Sequence, residues 1–114
     1  MIKETFGDYL RCKRGNISAA AFAKEVGISS VYLLDIEKGA RNVPKREVQI
    51  RIANCLKLST EEKYHLYDLG ATGKEGIPAD VWMYITGNSG LIKRIRNEAI
   101  IEESQMKTVE KELL

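Results

Sequence analysis

Residues 18–39 read Ser18-Ala19-Ala20-Ala21-Phe22-Ala23-Lys24-Glu25-Val26-Gly27-Ile28-Ser29-Ser30-Val31-Tyr32-Leu33-Leu34-Asp35-Ile36-Glu37-Lys38-Gly39. Their spacing predicts two short helices joined by a tight turn. The Ser18 hydroxyl can accept from the orphan amides of a first helical turn. The three alanines after it favour helix, and Phe22, Ala23 and Val26 fall on one face. Gly27 stands where that helix must stop and the chain needs a left-handed residue. Ile28 is apolar inside the turn, which ties the turn to a core. Ser29 caps a second helix whose inward face is Leu33 and Ile36. Gly39 ends that helix, with Lys38 at its negative end. Two helices that cross steeply and closely need a small residue at the crossing, here Ala23. They also need a glycine turn and apolar anchors on the second helix.

Outward from this stretch the chain keeps reading as helix. A first helix is expected from about residue 3 to residue 14, with Phe6 and Leu10 on one face and Gly15-Asn16 closing it. Residues 40–43 read as a loop. Pro44 suits the first turn of a following helix, expected to reach about residue 56 with Val48, Ile52 and Cys55 or Leu56 inward. Ser59 with Glu62 three residues later is a capping box. It opens a helix carrying Tyr64, Leu66, Tyr67 and Leu69 to a stop at Gly70. No segment alternates with the period of a strand.

Thr72-Gly73-Lys74-Glu75-Gly76 is the only linker-like stretch. It divides the chain into a domain over residues 1–71 and an extension over residues 72–114. Ile77-Pro78 restarts helix, with Val81, Trp82 and Ile85 on one face, and Gly87-Asn88-Ser89-Gly90 breaks it. Ile92, Ile95, Ala99, Glu102, Met106, Val109 and Leu113 then recur in alternating steps of three and four. That is a coiled-coil seam with Glu102 as its defect. Ile100 and Ile101 lie off it. Two readings stay open: a seam between two chains, or one amphipathic helix packed on its own domain with a frayed tail after Ser104.

Charged side chains make up 30% of the 114 residues, with a formal net charge of only +2. Residues 1–46 hold nine basic and five acidic side chains, so the front is +4 and the remainder −2. A basic front is compatible with nucleic-acid binding. Cys12 and Cys55 lie far apart, and His65 is the only histidine, which is too little for zinc. The cysteines are expected to be buried or half-buried thiols. No glycine-rich phosphate loop, metal cluster or Ser/His/Asp arrangement can be placed, so no enzyme, cofactor or metal is expected. The start lacks the apolar run of a signal peptide. No segment approaches the ~20 apolar residues of a membrane span. The expectation is a cytoplasmic protein with no membrane contact.

The central stretch resembles the helix-turn-helix of the phage Cro/CI repressor family, also called the XRE family. The likeness extends to Leu10-Arg11 with Arg14 and to Glu37-Lys38-Gly39 followed by Arg41, Asn42 and Pro44. It reaches Ile52-Ala53 and Leu56, covering roughly residues 6–69. The resemblance implies an all-α fold: a five-helix Cro/CI repressor-like domain plus the C-terminal helical extension. It implies that Arg14 pairs with Glu37 as a structural contact. It places the second motif helix in the major groove of double-stranded DNA, with Ser29, Ser30, Val31 and Asp35 facing bases. Ser18, Lys38, Arg41, Asn42 and Lys45 would face phosphates. Members often carry glutamine after the first cap, where this chain has Ala19. The reading helix also offers no Arg, Gln or Asn to base edges.

The function implied is a transcriptional regulator, a repressor binding palindromic operators as a homodimer through residues 59–69 and 78–113. The alternative is a helix-turn-helix protein-interaction module, an antitoxin or anti-repressor, with weak or no DNA binding.

Overall fold

The computed structural model describes residues 3–71 and 76–113, with side chains through residue 107. All regular structure among the described residues is helical. The order is α1 (Phe6–Arg14), α2 (Ala19–Val26), α3 (Ser30–Lys38), α4 (Arg46–Cys55), α5 (Thr60–Gly70), α6 (Ala79–Thr86) and α7 (Ser89–Leu113). The chain divides into two compact units between Val81 and Trp82. Residues 72–75 of the expected linker lie outside the described residues.

In the first unit α1 packs on α3 and α5, α2 on α3 and α4, and α4 on α5. Leu10, Phe22, Val26, Leu33, Ile52 and Leu66 are fully enclosed where these helices meet. Burying each such side chain contributes about 1.5–3 kcal/mol, so this shared core dictates how the helices lie. Phe22, Ala23 and Val26 point inward from α2, and Leu33 and Ile36 from α3, as their spacing requires.

Several boundaries differ from the sequence expectation, each for a local reason. α1 begins at Phe6 rather than Lys3 because Thr5 and Asp8 form a capping box. The Thr5 hydroxyl accepts from the Asp8 amide at 3.1 Å, and the Asp8 carboxylate accepts from the Thr5 amide at 3.1 Å. α4 begins at Arg46 after a Lys45 cap that makes no side-chain bond, so Pro44 precedes the helix rather than opening it. The Pro44 carbonyl instead accepts from buried Gln49 at 2.8 Å. The break expected over residues 87–90 shrinks to Gly87 and Asn88, because the Asn88 side chain accepts from the Leu91 amide at 3.2 Å and starts α7. α7 then stays helical to Leu113 instead of fraying after Ser104. Cys12 is exposed rather than buried, and Cys55 is half-buried. Burial pushes the Cys55 thiol up from its ordinary value.

Candidate nucleic-acid interface

Three side-chain or backbone devices hold the α2–α3 corner. Ser18 caps α2 by accepting from the Ala21 amide at 3.1 Å. Gly27 closes the helix in the left-handed region at φ 88°, and the Gly27 and Ile28 amides both donate to the Ala23 carbonyl. Ser29 then caps α3 by accepting from the Tyr32 amide at 3.1 Å. Gly39 ends α3 at φ 76°, and the Ala40 amide turns back to the Asp35 carbonyl at 2.9 Å.

An ion pair ties this corner to α1. Arg14 donates through Nε to Glu37 Oε2 at 2.6 Å and through Nη2 to Oε1 at 2.8 Å. Its Nη1 donates to the Ile17 carbonyl at 2.7 Å, just before the α2 cap. Glu37 is buried, with its side chain 3% exposed, and Arg14 14%. The bidentate fork satisfies a carboxylate that would otherwise be costly to enclose. The hydrogen bonds to Glu37 hold the Arg14 guanidinium above its ordinary value.

On the outer side of α3, Val31 is 67% exposed. Ser29 is exposed as well, while Ser30 and Asp35 are half-buried. Arg41, beyond the helix, folds back onto this face. Its Nε lies 3.6 Å from Asp35 Oδ2, and its guanidinium lies 5.8 Å from the centre of the Tyr32 ring. The resemblance to the phage repressor family implies that Tyr32 flanks the base-facing set. The structure gives its ring a further part, a cation–π surface that orients Arg41.

Of the expected phosphate-facing side chains, all but Ser18 line an open groove of about 1050 Å³. Lys38, Arg41, Asn42 and Lys45 line it, together with Lys3 and Arg46 and the acidic Glu4, Asp8, Glu37 and Glu47. Ser18, Ser29, Ser30 and Val31 do not. Arg41 is thus the side chain that belongs both to the groove and to the outer face of α3. Lys3 and Arg46 carry no signal in the sequence, because nothing local says that residues so far apart in the chain line one groove. Arg51 is a third cation of this kind. A Cβ placed on Gly27 would meet its Nη1 at 3.4 Å, so it reaches the turn between α2 and α3.

Among the described residues no group of three or more His, Cys, Asp or Glu side chains could hold a metal ion. No described helix is long and apolar enough to cross a membrane. His65 instead contacts the Glu4 carboxylate at 2.7 Å and packs edge-on against Tyr9 at 4.6 Å.

A family model described as a helix-turn-helix domain matches residues 6–66, which takes in α1 through most of α5. No curated protein and no solved structure matches the chain.

Proposed function

The chain belongs to the helix-turn-helix domain family, and from that premise we propose that it is a transcriptional repressor of the phage Cro/CI, or XRE, kind. In this reading it is a cytoplasmic binding protein rather than an enzyme. It binds palindromic operator DNA as a homodimer and blocks transcription by covering a promoter. α3 lies in the major groove. Ser29 and Ser30 meet base edges of either kind, Val31 a thymine methyl, and Asp35 a cytosine amino group. Ser18, Lys38, Arg41, Asn42 and Lys45 hold the phosphate backbone and set the register. The observation that carries this reading is the outer face of α3. It is exposed at Val31, and Arg41 is folded against it through Asp35 and Tyr32. A reading helix with a cation at its far end can meet bases and backbone together. Dimer contacts fall on residues 59–69, where Tyr64 is exposed, and on residues 78–113.

One observation favours a second reading. The Asp35 carboxylate lies within 3.6 Å of Arg41 and offsets part of its charge, while Val31 presents apolar surface to solvent. A face of that kind suits a protein partner, as in an antitoxin or anti-repressor. Selection of bound duplexes from a random pool separates the two. Enrichment of one palindrome, lost in an Arg41→Ala/Lys45→Ala variant, supports the repressor. No enrichment at low salt, with another protein co-purifying, supports the interaction module.

A further inference from the structure

We propose that α7 is one half of an antiparallel two-stranded coiled coil formed with a second copy of this chain. This rests on the homodimer in the reading above but not on DNA contact. α7 carries a stripe that stays partly open to solvent along the helix: Ile92 is 37% exposed, Ile95 45% and Met106 65%. With Ala99 and Glu102 these residues recur in alternating steps of three and four, so the stripe stays on one side of the helix.

The charges along α7 fix who covers it and in which direction. Its front carries Lys93, Arg94 and Arg96, and the stretch behind carries Glu98, Glu102 and Glu103. Two such helices side by side in the same direction bring like ends together. Glu102 would then meet Glu102 of the partner subunit inside the seam. Glu98 would flank the partner's Glu103, which is a repulsive rim pair. Reversing one helix removes both conflicts. Ile95 then meets Met106 of the partner subunit, and Ala99 meets the partner's Glu102. The alanine methyl is small enough to leave that carboxylate a path to water. In the same register Arg96 flanks Glu103 of the partner subunit, and symmetry makes this pair twice. A second copy of the chain therefore supplies both the apolar seam and the opposite charges that α7 calls for.

The test is sedimentation equilibrium on the full chain at low salt. The chain is expected to be a dimer. Arg96→Glu and Glu103→Arg are each expected to weaken it about tenfold, since each turns two attractive rim pairs into repulsive ones. The double variant Arg96→Glu/Glu103→Arg restores the pairs with their signs exchanged and should return to the parent's affinity, which also shows that the single variants fold. A tighter dimer for Glu103→Arg alone overturns the proposal, because in a parallel pair that change places the new guanidinium beside the partner's Glu98. A monomeric parent chain, or a dimer indifferent to all three variants, overturns it as well. Duplex binding is measured separately on the same samples. A chain that pairs as described yet binds no duplex sinks only the DNA-contact reading.

Discussion

At Gly7 a Cβ would stand 2.4 Å from the Ile36 carbonyl oxygen and 2.8 Å from that of Glu37. Both are backbone atoms of α3, so no rotamer change makes room. Gly7→Ala must push α1 away from α3, and overpacking of this kind costs about 3 kcal/mol. A fall of that size in the urea unfolding free energy checks it, and an unchanged midpoint would refute the close approach. Arg14 and Glu37 make the complementary case. Arg14→Ala leaves an enclosed carboxylate without its cation, at an expected cost of about 3–5 kcal/mol. Replacing the pair together, as Arg14→Met/Glu37→Leu, removes the stranded charge and should recover most of that loss in the same denaturation series. The pair is legible in the sequence because the family pattern links those two positions. Gly7 is not, since a glycine in the first turn of a helix reads as ordinary until one knows which backbone it faces.

Helix starts are the most legible elements, because a cap is written in a few adjacent residues. Ser18, Ser29 and the Ser59/Glu62 box all behave as their spacing predicts. The Thr5/Asp8 box has the same signature, but the charged residues before it read as a continuation of the helix and hide its start. Elements whose starts depend on distant partners are less legible. α4 opens on a residue with no capping side chain, and its position follows from packing and from Gln49 reaching the Pro44 carbonyl. The Ser59/Glu62 box also carries a pH dependence. Glu62 accepts from the Ser59 amide through its carboxylate and contacts the Lys13 ammonium of α1. Lys13 first, and the Ser59 backbone and hydroxyl next, hold the Glu62 carboxyl down to about 2. A depressed carboxyl stabilises the fold above its unfolded value and ceases to do so as pH falls through its folded one. The contribution is therefore full above about pH 4.5 and is lost toward pH 2. Glu62→Gln should flatten the stability profile across that acid window and leave the profile near neutrality parallel to the parent. An unchanged acid limb would show that this contact does not link α1 to α5.

For the molecule as a whole, only the fold decides which cations of the front of the chain share a surface. Lys38, Arg41 and Lys45 are close in sequence, so their grouping is legible. Lys3 and Arg46 line the same groove although they lie far apart in sequence, and no short-range pattern encodes that. Under the proposed repressor reading, the grouping leads to a measurable distinction between side chains assigned to bases and side chains assigned to phosphates. Each phosphate contact releases counterions, so the slope of log affinity against log salt falls by about 0.9 for every cation removed from the backbone. Lys38→Ala/Lys45→Ala should therefore lower the slope by roughly 2 and weaken all duplexes about equally. Val31→Ala, on the exposed face of α3, should keep the full slope and lose discrimination at one base pair, by about 1 kcal/mol or more. Fluorescence anisotropy across a salt series with the selected duplex and a scrambled one measures both quantities. If Val31→Ala changes the slope while the lysine pair leaves it intact, the assignment of bases to α3 and phosphates to the groove is reversed.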